Sequence, residues 1–137
     1  MNDILNPFNQ LIQSGVEIRD TLSTAVRDLE LAIEAELVKR RTAKELTTIC
    51  EEIEAEFTAE VFAGMTATND KGRKAELDAA LVKARRDGVL ARPWAQMNAA
   101  RYDLEEAEAA KEQAAKRFRA TEAAAELTAA MLRAAAR

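Results

Sequence analysis

Residues 97–132 read MNAARYDLEEAEAAKEQAAKRFRATEAAAELTAAML, and this stretch decides the fold class. Spacings of three and four residues alternate along it without exception at eleven positions, which we call the α3 seam: Met97, Ala100, Leu104, Ala107, Lys111, Ala114, Phe118, Thr121, Ala125, Thr128 and Leu132. Such a heptad pattern places these side chains on one face of an α-helix and is typical of coiled coils. Because most of the eleven are small, we expect a partner helix to approach this face closely. The pattern predicts a helix over about residues 93–135.

A second long stretch, between Gly15 and Gly64, contains neither glycine nor proline. Apolar side chains recur along it at helical spacing: Ile18, Leu22, Val26 or Ala25, Leu29, Ile33, Leu37, and then Leu46, Cys50, Ile53, Phe57 and Val61. Pro7 suits the first turn of a helix, and a glycine suits its C-cap in the left-handed conformation. We therefore expect a helix over about residues 7–63, with a kink near residue 15, and we expect it to pack antiparallel against the helix over 93–135.

A shorter helix is predicted between the two long ones. Asn69 or Thr68 can cap its N-terminus, and Gly88 can end it, which places it at about residues 69–87. The sequence thus predicts an all-α fold, a coiled-coil-like hairpin of two long antiparallel helices with a short third helix between them. We expect residues 1–137 to form a single elongated helical domain.

The composition removes most catalytic and metal-binding chemistry. The chain has no histidine, so that neither a Ser-His-Asp or Cys-His arrangement nor the Glu-x-x-His motif of di-iron helical bundles can form. A single cysteine, Cys50, permits no intrachain disulfide and no Cys-based zinc site. The densest carboxylates, including Glu52, Glu56 and Glu60, lie beside the apolar stripe and are expected to form a solvated helix face. We predict no catalytic residue, no metal site and no cofactor.

Several large apolar residues lie outside the predicted seams. A two-helix hairpin cannot bury them, so they need a third helix or a partner chain: Leu31, Val38, Ile49, Phe62, Val82, Leu127 and Met131. Among these, Leu31, Val38, Leu127 and Met131 are the candidate self-association residues. The sequence predicts a non-enzymatic protein that binds other protein chains and forms a homodimer.

The basic residues suggest an alternative function. They occur in short groups, of which the candidate nucleic-acid contacts are Lys39, Arg40, Arg41, Lys71, Arg73, Lys74, Arg85 and Arg86. A net charge of −4 and a pI of about 5.1 differ from the strongly basic balance of most nucleic-acid-binding domains. The charge balance therefore favours protein partners, with an accessory role in DNA metabolism as the alternative. With no apolar stretch near 20 residues and no signal-peptide pattern, we expect a cytoplasmic protein without membrane contact.

One segment resembles a known group of proteins. Residues 68–75, TNDKGRKA, are similar to a T-N-[ED]-x-x-R-x-A stretch in small helical accessory proteins of phages and integrated mobile elements. In those proteins, as here, the stretch precedes a helix, an aromatic break and a long Ala/Glu-rich helix. The resemblance covers residues 66–137. It implies an accessory protein of a mobile element, some of whose members lie beside recombination genes, and it implies no particular mechanism.

Overall fold

The computed structural model describes residues 2–137 of the chain, and their side chains from Pro7 onward. It contains three helices, α1 (Asn2–Ala63), α2 (Asp70–Asp87) and α3 (Ala91–Ala135), and no strand within the described residues. The two long helices, α1 and α3, pack against each other. The predicted all-α class is therefore confirmed, together with the order long, short, long.

The ends of α2 follow the predicted capping residues. Asn69 is the N-cap, and its side-chain oxygen accepts a hydrogen bond of 2.6 Å from the backbone N–H of Gly72. At the other end, the N–H of Gly88 donates to the carbonyl of Ala84. A Cβ atom on Gly88 would lie 2.9 Å from the Cα of Ala84, so glycine is required there by the close approach of the backbone.

The ends of the long helices differ in part from the sequence-based expectation. Helix α1 begins at Asn2 and includes Pro7, and α3 begins at Ala91, two residues before Pro93. Helix α1 ends at Ala63 as expected, but Gly64 does not adopt the left-handed conformation. Instead, its N–H donates to the carbonyls of Glu60 and Val61, which continues the helical pattern for one more residue.

The helix does not restart at Gly15. Residues on both sides of this glycine belong to the same unbroken helix α1. A bend at this position stays a prediction. A Cβ atom on Gly15 would lie 3.6 Å from a methyl group of Leu132 and 3.7 Å from the methyl group of Thr128, so the glycine faces α3.

The chain divides into two compact units, each containing part of α1 and part of α3. Unit 1 consists of Met1–Glu36 and Ala107–Arg137, and unit 2 of Leu37–Glu106. Unit 2 also contains α2, so it is built from three helical segments, and it buries Ala43, Cys50, Ala84, Leu90, Met97 and Ala100. Unit 1 has two helical segments. Among its described side chains, it buries only Ala25, Glu36, Ala114 and Thr128.

The α3 seam is buried as its spacing predicts, since all eleven positions are buried or half-buried. The stripe predicted for α1 is confirmed from Leu46 to Val61, where its members are all buried or half-buried, but it is wrong between Leu29 and Leu46. Ile33 and Leu37 are exposed, and the inner positions are Ala32 and Glu36 instead. The reason is geometric: each step of four residues turns a straight helix by about 40° beyond a full turn, so two such steps in succession leave the face. Steps of three and four in alternation return to it.

Candidate interaction surfaces

A partly buried ion pair joins α1 and α3 within unit 1. The Nζ of Lys111 lies against the Oε2 of Glu36, whose side chain is only 6% exposed, whereas 41% of the Lys111 side chain is exposed. The stem of Lys111 therefore lies in the seam while its end still reaches water. The heptad pattern identified Lys111 as a seam residue. It did not identify Glu36, since an acidic residue in an apolar face is read as a break in the pattern.

An apolar groove lies between the helices of unit 1. It has a volume of about 360 Å³, and the residues that line it include Ile12, Val16 and Leu22 from α1, and Ala125 and Leu132 from α3. Ile12 and Val16 are about two-fifths exposed at its edge. The groove is open because small residues on both helices, Gly15 and Ala125, leave the space between them unfilled. Its lining is suited to an apolar side chain from another chain.

The four candidate self-association residues are all exposed. Their exposed fractions are 54% for Leu31, 59% for Val38, 60% for Leu127 and 50% for Met131. Leu31, Leu127 and Met131 belong to unit 1, whereas Val38 belongs to unit 2. The other large apolar residues predicted to need a partner are exposed as well: Ile49, Phe62 and Val82.

Several of the candidate nucleic-acid contacts are engaged within the chain. The guanidinium of Arg85 pairs with Glu54 at 2.6 Å, and that of Arg86 pairs with Asp87 at 2.9 Å. The Nε of Arg73 donates to the carbonyl of Ala67. By surface area, Arg85 is half-buried and the other seven candidates are exposed: Lys39, Arg40, Arg41, Lys71, Arg73, Lys74 and Arg86.

Arg85 is the central polar residue of unit 2. Besides its pair with Glu54, its guanidinium carbon lies 5.7 Å from the centre of the Trp94 ring, which is within the range of a cation–π contact. These contacts link α2 to both other helical segments of the unit. The Nε of Arg85 is buried and has no hydrogen-bond partner. Sequence reasoning missed this role, because Glu54 is 31 residues away in the chain.

A basic groove lies on another part of unit 2. Arg40 and Lys44 from α1 and Arg101 from α3 line it, together with the hydroxyl-bearing Thr47 and Thr48. Glu51 lines it too, so the charge of the groove is mixed. Arg101 was not among the predicted contacts, since it lies about 60 residues from the basic group of α1.

The chain has no match among protein-family models, curated proteins or solved structures. Within residues 2–137, no helix carries an apolar stretch long enough to cross a lipid bilayer. The described residues contain no group of three or more His, Cys, Asp or Glu side chains placed to hold a metal ion.

Cys50 is enclosed in the core of unit 2, with 2% of its surface exposed. Burial raises the pKa of its thiol, and the neighbouring carboxylate of Glu54 raises it further, against a smaller opposite effect of Arg85 and Arg101. The thiolate, which is the reactive form, is therefore disfavoured at neutral pH. We expect Cys50 to resist an aromatic disulfide reagent in the native protein and to react at once in denaturant. Rapid labelling of the native protein would contradict its structural role.

The burial of Ala114 in the α3 seam makes a further prediction. Ala114 is buried, with 7% of its surface exposed, so Ala114→Leu should lower the free energy of unfolding by about 1 to 3 kcal/mol through overpacking. Ala123→Leu and Ala130→Leu are matched controls, because both positions are exposed on the same helix and leucine and alanine have similar helix propensity. Urea denaturation of the three variants measures the difference. Equal stability of all three would mean that α3 turns a different face towards α1.

Proposed function

We propose that this chain is a non-enzymatic helical protein that acts by binding other protein chains and that associates with itself. One observation carries the proposal: the core of unit 1 is too small for its apolar content. Its described side chains bury two alanines, a glutamate and a threonine, while larger apolar residues such as Ile33, Leu127 and Met131 stay exposed. Most helical stability in proteins comes from packing an apolar face, so a second chain on unit 1 would supply what α1 and α3 lack.

We further infer that α1 and α3 run antiparallel within unit 1, in the manner of a coiled coil. Gly15 lies near Leu132, and Glu36 lies against Lys111. These two contacts are 21 residues apart on both helices, which is three heptads, and they run in opposite sequence directions. In this arrangement large residues face small ones, as in the pair of Gly15 with Leu132.

The test of self-association is the mass of the protein in solution. Multi-angle light scattering at micromolar concentration should give at least twice the chain mass of 15.1 kDa. Raising the salt concentration should have little effect on an interface dominated by apolar contacts. A monomer throughout the accessible concentration range would contradict the proposal.

The second candidate function is an accessory role in the DNA metabolism of a phage or mobile element. The groove lined by Arg40, Lys44 and Arg101 favours it, because its three cations outnumber the one carboxylate of Glu51, and cations with two neighbouring hydroxyl groups would suit a phosphate backbone. The resemblance of residues 68–75 to mobile-element proteins supports the same setting. A DNA-binding assay at several salt concentrations distinguishes the two functions. Binding through these cations should weaken steeply as salt rises and should be lost on Lys44→Glu, whereas self-association should persist.

A further inference from the structure

The outer side of α1 in unit 1 carries a second stripe at heptad spacing, beside the face that packs against α3. Steps of three and four residues from Val16 give the six residues that we call the outer stripe: Val16, Arg19, Ser23, Val26, Glu30 and Ile33. All six are exposed, and the three apolar members are between 36% and 41% exposed. Two adjoining heptad stripes on one helix are suited to contact with two different helices. In unit 1, α3 covers only one of them.

We propose that the outer stripe is the contact between two copies of this chain, with α1 of one copy lying antiparallel on α1 of the other about a two-fold axis. The inference rests on the self-association proposed above and names its surface. A two-fold interface is self-complementary, so that each contact occurs twice. Centring the pair on the middle of the stripe matches each residue with one of the partner subunit: Val16 with Ile33, Arg19 with Glu30, and Ser23 with Val26.

Charge complementarity selects both the partner and its direction. In the antiparallel arrangement, Arg19 of each copy faces Glu30 of the partner subunit, and the remaining positions pair apolar or small side chains. A parallel arrangement would place Arg19 against Arg19 and Glu30 against Glu30, which is repulsive. Arg19 is available for this contact, because its ion pair with Asp20 is 3.9 Å long and both side chains are more than 70% exposed.

The apolar groove of unit 1 extends this surface. Val16 and Arg19 of the outer stripe also line the groove, together with Ile12, which lies one turn before Val16. A helix lying on the stripe would therefore cover the groove edge as well. Because of the two-fold symmetry, this apolar area is buried at both ends of the contact. Next to it, on the side nearer the symmetry axis, each end has one pair of Arg19 with Glu30 of the partner subunit.

The decisive experiment uses charge reversal and mixing of full-length variants, with dissociation constants from analytical ultracentrifugation. In the homodimer of Arg19→Glu, glutamate faces Glu30 twice, and in that of Glu30→Arg, arginine faces Arg19 twice. We expect the dissociation constant of each variant alone to be at least about tenfold higher than that of the unchanged protein. An equimolar mixture of the two variants forms opposite-charge pairs at both sites and should regain the original affinity. The double variant Arg19→Glu/Glu30→Arg should regain it too.

Two controls reverse a charge elsewhere on unit 1 and change the net charge by the same amount. Asp28→Arg matches Glu30→Arg, and Arg117→Glu matches Arg19→Glu, since Asp28 and Arg117 line a different groove away from the outer stripe. Both controls should associate like the unchanged protein. Helix content from circular dichroism checks each fold, and the double variant keeps the test decisive if a single variant unfolds.

The outcomes separate this inference from the proposed function. A monomeric unchanged protein overturns both. If the protein dimerises and the stripe variants behave like the controls, self-association stands and the outer stripe is not its surface. If the single variants are weakened but neither the mixture nor the double variant recovers, the antiparallel pairing is wrong.

Discussion

Replacing Leu90 by alanine should lower the free energy of unfolding by about 2 to 4 kcal/mol. Leu90 is completely buried, and it is the largest side chain among the described residues to be so enclosed. It lies between α2 and α3, where its carbonyl accepts the N–H of Trp94 in the first turn of α3. Truncation removes apolar contacts and leaves a cavity that the three helical segments of unit 2 can fill only by moving together.

Two control substitutions test whether the loss of stability comes from the burial of Leu90 rather than from the type of substitution or its place in the chain. Val89→Ala alters the neighbouring residue, which is 61% exposed, and Leu37→Ala makes the same chemical change at a position that is 56% exposed. Both should cost less than about 1 kcal/mol. Urea denaturation curves with a common slope would give the three values on one scale. A Leu90→Ala variant as stable as the controls would show that this connector does not enter the core.

The predictable parts of the fold are those with local causes. The alternation of threes and fours along α3 leaves one possible inner face, and the structure buries it. Asn69 caps the start of α2 through its side chain, and Gly88 ends the helix because it has none. Both roles can therefore be identified from the neighbouring residues alone. These features need no knowledge of what lies across the interface.

The features that the sequence did not reveal depend on distant residues. Leu90 stands in a short connector without periodicity, so its burial follows only from the packing of α2 and α3 around it. On α1 the apolar face is broad, and both Ile33 and Ala32 fit a helical stripe after Leu29. The choice between them follows from helix geometry once contact with α3 fixes which face of α1 is the inner one. In the same way, no local pattern connects Arg85 to Glu54, so the ion pair between them could not be read from the sequence.

The ion pair of Glu36 and Lys111 should give strongly non-additive effects when its members are replaced. Lys111→Met removes the cation beside a nearly buried carboxylate, and we expect it to lower the free energy of unfolding by about 1 to 3 kcal/mol. Glu36→Leu should cost less, because the ammonium group of Lys111 can turn towards water. The two single variants are thus expected to differ although they break the same pair.

Replacing both residues together shows whether Glu36 and Lys111 stabilise each other. In Glu36→Leu/Lys111→Met no charge remains in the seam, and the apolar side chains can pack between α1 and α3, so the double variant should be at least as stable as the unchanged protein. A double-mutant cycle by urea denaturation then gives a coupling energy of at least about 1 kcal/mol. Because one partner is nearly buried, this coupling should change little between low and moderate salt, unlike that of an exposed pair such as Lys116 with Glu112. Additive losses in the double variant would show that Glu36 and Lys111 do not stabilise each other.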